Sequence, residues 1–79
     1  MNTCKLSDML PGDDGQVLVV QSAENIKRRF YEIGLIPKTI ISCLASAPGG
    51  DPKAYRIRGA VIAIRREDSD GVVIHKETV

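Results

Sequence analysis

Residues 26–39, Ile-Lys-Arg-Arg-Phe-Tyr-Glu-Ile-Gly-Leu-Ile-Pro-Lys-Thr, constrain the fold of this chain more than any other stretch. Ile26, Phe30 and Ile33 recur at i, i+4 and i+7, so a helix here carries one apolar stripe. Lys27, Arg28 and Tyr31 fall on the opposite side. Gly34 stands where such a helix ends, because glycine enters the left-handed region at little cost. Leu35 then occupies the position from which a Schellman cap packs against Phe30, and Pro37 forbids continuation. A short helix, residues 22–33 with Ser22 as N-cap and Glu24 in its first turn, therefore stops sharply and launches a strand.

Strands and turns account for the rest. Leu6 and Leu10, four apart, suit one helical turn with two apolar anchors, closed by Pro11-Gly12-Asp13-Asp14-Gly15. Residues 17–21 are rich in β-branched side chains. Residues 39–46 place Ile41, Cys43 and Ala45 on one face before the breaker Ala47-Pro48-Gly49-Gly50-Asp51-Pro52. Tyr55 and Ile57 alternate with Arg56 and Arg58, one side apolar and one basic. Gly59 permits a tight turn, residues 61–64 form a fourth strand, and a charged turn leads to a fifth at residues 72–74. One domain spanning residues 1–79 follows: mainly β, a small, strongly bent five-stranded β-barrel with one inserted α-helix and a short N-terminal helical turn. Its expected core is Val17, Val19, Ile26, Phe30, Ile33, Leu35 and Ile41 from the first half, with Tyr55, Ile57, Ile62, Ile64, Val72 and Ile74 from the second. The apolar share of 43% and charged share of 27% fit a globular chain and exclude a disordered one.

Charge is unevenly spread. Residues 27–66 hold nine Lys or Arg against Glu32 and Asp51, a net +7, whereas residues 1–26 and 67–79 each come to −3. The simplest expectation is that the acidic ends pair with the basic middle; the alternatives are an acidic protein partner or nucleic acid. No apolar run approaches the roughly 18 residues of a membrane span, and no basic start precedes an apolar segment, so the chain reads as cytoplasmic with Cys4 and Cys43 reduced.

Catalytic chemistry finds no footing. His75 is the sole histidine, set in a strand beside Lys76 without a phosphate loop, nucleophile elbow or paired carboxylates, and reads as a solvent-facing residue. Cys4 and Cys43 lie 39 residues apart, unlike the close Cys pairs of zinc sites, and Cys43 reads as a small core residue. Asp13-Asp14 and Asp68 with Asp70 read as solvated turns. No catalytic residue, metal ligand or cofactor is expected. Basic residues at 27–29, 56, 58, 65 and 66 would attract a polyanion, but single-strand binding also wants stacking aromatics, and so does a proline-rich-peptide groove. With only Phe30, Tyr31 and Tyr55 present, protein docking remains. Lys27, Arg28, Tyr31 and Lys38, around the helix and its exit turn, are the expected contact residues, with Arg56 and Arg58 as a second basic face.

Three motifs in order resemble the FeoA family: Leu6 with Leu10-Pro11-Gly12 and Val17; the run from Arg29 to Pro37; and the run from Ala47 to Pro52, followed by Gly59 and Ile62-Ala63-Ile64-Arg65-Arg66. The resemblance implies an SH3-like barrel and an accessory role in bacterial ferrous iron uptake, with the GTPase-containing FeoB permease as protein partner. It leaves oligomeric state open. The same barrel occurs as the C-terminal domain of DtxR-type metal-dependent repressors, which makes a stand-alone regulatory domain the alternative, beside a basic nucleic-acid-binding module. Lys38 stands where the family usually has glycine, which alters the turn into the second strand. Lys53 stands where it usually has an aliphatic residue, which implies a more basic surface after Pro52.

Overall fold

Six strands form one antiparallel sheet in the computed structural model, which describes residues 2–76: β1 (Thr3–Lys5), β2 (Asp14–Val20), β3 (Ile40–Ser46), β4 (Lys53–Ile57), β5 (Ala60–Ile64) and β6 (Val72–Lys76). Their order across the sheet is β1-β6-β2-β3-β4-β5. The helix α1 (Glu24–Glu32) lies between β2 and β3, and a single turn α2 (Arg66–Ser69) between β5 and β6. The count is one more than the sequence pattern gives. The extra strand is β1, three residues too short to show a period, which pairs with β6 through Thr3–His75, Cys4–Ile74 and Lys5–Val73.

Two irregularities redirect side chains. Against β6 the register of β2 shifts between Val17 and Val19, and against β4 that of β3 shifts between Cys43 and Ala45. Each extra residue flips the alternation beyond it. Val20 is thus buried in place of the expected Val19, which is 38% exposed, and Ala45 turns outward although Ile41 and Cys43 stay inside. At the N-terminus Leu6–Asp8 is a 3-10 turn rather than an α-turn. A period of three brings Met9, not Leu10, beneath Leu6; both are fully buried and Leu10 is 59% exposed.

The exit of α1 follows the expected cap. Gly34 takes φ +90°, its N–H bonds the Tyr31 carbonyl at 3.1 Å, and the Leu35 N–H bonds that of Phe30 at 2.8 Å, the two bonds of a Schellman motif. Phe30 and Leu35 are buried together, whereas Ile26, Ile33 and Ile62 are only half-buried against the core. The entrance differs. Ala23, not Ser22, is the N-cap, and the Ser22 hydroxyl is buried against Gly71 without a hydrogen-bond partner.

Lys53 is the largest departure, because it is buried rather than surface-basic. Its ammonium donates to the carbonyls of Ser7 and Met9, each at 2.7 Å, and the Tyr55 hydroxyl donates to that of Leu6 at 3.1 Å. Two inward residues of β4 thus hold the 3-10 turn, whose carbonyls have no strand to pair with. The Ser7 hydroxyl also bonds Asp70 beside α2.

Replacing Lys53 with Met keeps the volume but orphans the buried Ser7 carbonyl and leaves that of Met9 only the weak Cys43 thiol donor, so Lys53→Met is expected to cost about 2 kcal/mol, read by urea denaturation. Burial is the main cause that pushes the Tyr55 phenol up to about 12. An unfolded tyrosine ionises near 10, so the contribution of Tyr55 is fully present below about pH 10 and lost as pH rises from there through about 12. Denaturation at pH 8 to 11.5 should show stability falling in that window, with a shallower fall in Tyr55→Phe.

Candidate docking surface

Lys27, Arg28 and Tyr31 emerge together on the outward side of α1, where with Glu24 and Glu32 they line a shallow depression. The Lys27 ammonium sits 5.8 Å from the centroid of the Tyr31 ring, a cation–π distance, one helical turn apart. Tyr31 is 44% exposed, a large aromatic surface left in water by a helix whose opposite face is anchored by Phe30. Such a tyrosine flanked by cations has the composition of a protein contact.

Lys38 and Arg58 converge on the exit of that helix. Lys38 has φ +80° and follows Pro37 in a turn closed by the Thr39 N–H on the Ile36 carbonyl at 3.1 Å. That is the type II arrangement, in which the third position calls for glycine; the turn persists here with lysine bearing the strain. Arg58 likewise has φ +50°, and with Gly59 at +83° it forms the two-residue connection between β4 and β5. Its stem lies directly over Gly34, where an added Cβ would come within 2.4 Å of Arg58 Cδ. Thr39 Oγ1 at 2.8 Å and Arg58 Nε at 3.4 Å both donate to the Gly34 carbonyl. Arg58 therefore belongs to the helix exit rather than to a face shared with Arg56. Arg56 stands apart on the outer face of the sheet, in register between Ser42 and Val61, where Val61 is 61% exposed.

Few of these charges are balanced internally. Among the described residues the ion pair present is Lys76 with Asp13 at 3.1 Å, which joins the two acidic ends to each other. The expected pairing of the ends with the basic middle is not found there. Asp13 accepts the Leu10 N–H at 2.8 Å, and that bond, more than Lys76, lowers its pKa. The arginines of the middle segment are left facing solvent.

Metal-ligand types are dispersed. Among the described residues no three His, Cys, Asp or Glu side chains gather closely enough to share an ion. Cys4 is half-buried and Cys43 buried, and burial raises both thiols above their ordinary value, which disfavours the ligating thiolate. His75 is half-buried in β6 between Thr3 and Gln16 rather than fully solvent-facing. Among the described residues no helix is long and apolar enough to cross a membrane.

The FeoA domain model matches residues 4–76, and the chain belongs to that family. A fusion protein of Fe(2+) transport protein A and the Fe(2+) transporter FeoB from Porphyromonas gingivalis (strain ATCC BAA-308 / W83) is 31% identical over 65 residues, which are 82% of this chain and 8% of that protein. The solution structure of FeoA from Chlorobium tepidum superposes with a TM-score of 0.88 at 29% identity, over 95% of this chain and 71% of that one. The zinc complex of Stenotrophomonas maltophilia FeoA, described as a prokaryotic SH3 domain protein, gives 0.82 at 26% identity, over 94% and 95%. The fold is thus the SH3-like one of FeoA. IdeR of T. acidophilum shares the fold at a TM-score of 0.84 and 15% identity, over 98% of this chain and 35% of that one. This chain spans a small part of the fused transporter, whose FeoA-like segment occupies the same polypeptide as FeoB.

If Lys38 carries backbone strain, Lys38→Gly should relieve it. Left-handed backbone costs a non-glycine residue about 1–2 kcal/mol, partly offset by the greater unfolded-state freedom of glycine. Calorimetry should show a gain of about 0.5–1 kcal/mol.

Proposed function

We propose that this protein is a non-enzymatic accessory factor of ferrous iron uptake, acting in the cytoplasm by docking on the GTPase-containing cytosolic part of an FeoB-type permease. The observation that carries this reading is the fusion of a related segment to FeoB within one chain, an arrangement that holds two functional partners together. The contact surface is the outward face of α1 with its exit: Lys27, Arg28, Tyr31, Lys38 and Arg58. Arg28 is exposed and Tyr31 offers a rigid aromatic anchor, so an acidic patch bearing a pocket would be met by bidentate guanidinium bonds around a buried ring. Arg56 supplies a second contact on the sheet. On this reading the iron and the GTP belong to the partner.

Changing Arg28 and Tyr31 together to Ala leaves the core untouched, so the thermal midpoint should stay within the range of surface substitutions. Affinity for the soluble GTPase domain of a co-encoded permease should drop by about 2 kcal/mol, roughly thirtyfold in Kd, by calorimetric titration. Unchanged stability with unchanged binding would exclude the helix face.

A further inference from the structure

A cleft runs between the inward side of α1 and the free edge of β5, away from the surface just described. Ile26, Phe30 and Ile33 form its helix wall, and Ile62 and Ile64, the inward residues of β5, form the other. It encloses about 260 Å³, just under the roughly 300 Å³ at which small-molecule pockets begin, a size suited to side chains rather than to a whole ligand. Arg29 and Arg65 stand exposed at its lining, and neither has a carboxylate within ion-pair distance among the described residues; Asp68 is the one acidic lining residue.

The strand beside this cleft is incomplete. Among the described residues β5 pairs with β4 and with no other strand. Across the two-residue turn Ile57 faces Ala60, the closing hydrogen-bonded pair of such a hairpin. Bonded pairs then alternate, so Ile62 turns its backbone toward β4, and Val61 and Ala63 turn their N–H and C=O groups to the free edge. Apolar floor, open edge and unpaired guanidinium groups coincide at one place.

We propose that this cleft is a strand-addition site for an extended peptide in which apolar side chains alternate with carboxylates. The peptide pairs antiparallel with β5 through Val61 and Ala63. Its apolar side chains enter between Ile62 and Phe30, below Arg29 at the helix wall, and its carboxylates, emerging on the face of Val61 and Ala63, meet Arg65. A second copy of this chain is the poorer occupant: β5 itself carries no acidic residue, and symmetric edge pairing would set arginine against arginine. The site is independent of the outward face of α1, so it stands or falls apart from permease docking.

The test uses the full chain, isotope-labelled, and a blocked hexapeptide of alternating valine and glutamate. Amide shifts on titration should centre on Val61, Ala63 and Phe30. In an antiparallel addition the glutamates share a face with Val61 and Ala63, so their amides are the ones that bond the edge. N-methylation of the glutamates should weaken binding at least tenfold and N-methylation of the valines much less, a comparison that leaves the protein unaltered. Replacing glutamate by lysine in the peptide, or Arg65 by Glu in a protein that retains its fold, should also cost at least tenfold. Equal binding of the two N-methylated peptides, shifts confined to Lys27, Arg28 and Tyr31, self-association that excludes the peptide, or no binding at millimolar peptide would each overturn the proposal.

Discussion

The ammonium of Lys53 ties the N-terminal turn to the sheet, and much of the architecture depends on it. A 3-10 turn leaves carbonyls that no ladder satisfies, and burying them unpaired is costly. Here Lys53 takes those of Ser7 and Met9, while Tyr55, two residues along β4, adds a second donor to that of Leu6, which also accepts the Met9 N–H. With these bonds made, Leu6 and Met9 can lie fully buried at one end of the core. The Ser7–Asp70 bond then links the same turn to the segment before β6, which pairs with both β1 and β2. The lysine that follows Pro52 is thus accommodated by facing inward to backbone oxygen rather than outward to water.

What was legible in the sequence was local. The helix, its Schellman exit at Gly34 and the strand types of β2 to β6 follow from periodicity and from the conformational demands of glycine and proline. The two register shifts were not legible, because an inserted Leu18 or Leu44 looks like any other strand residue until its partner strand is known. That ambiguity put Val19 and Ala45 on the wrong face. Lys53 was misplaced for a related reason: its carbonyl partners lie more than forty residues away in the chain. Among the candidate contact residues, Lys27, Arg28 and Tyr31 share a face as their spacing requires, but alternation misassigned Arg58, whose turn conformation folds it over Gly34 instead of beside Arg56.

Charge connects the fold to the proposed role. The basic middle segment spends Lys53 on the interior and leaves its arginines without carboxylate partners among the described residues. Unpaired surface guanidinium groups contribute little to folding but can form bidentate contacts with an acidic partner. They surround α1 on both sides, with Arg28 toward the outward depression and Arg29 toward the cleft beside β5. Only Phe30 of that helix is fully buried, so a modest core anchor presents two chemically different surfaces.

The most direct test of the docking account is an amide chemical-shift footprint of the labelled protein with the soluble GTPase domain of its co-encoded permease, at low and moderate salt. The account predicts perturbations clustered on Lys27, Arg28, Tyr31 and Lys38 that fade as salt screens the arginines, with Met9, Lys53 and Tyr55 unmoved. No perturbation anywhere at saturating GTPase domain, or one confined to residues distant from α1, would contradict it.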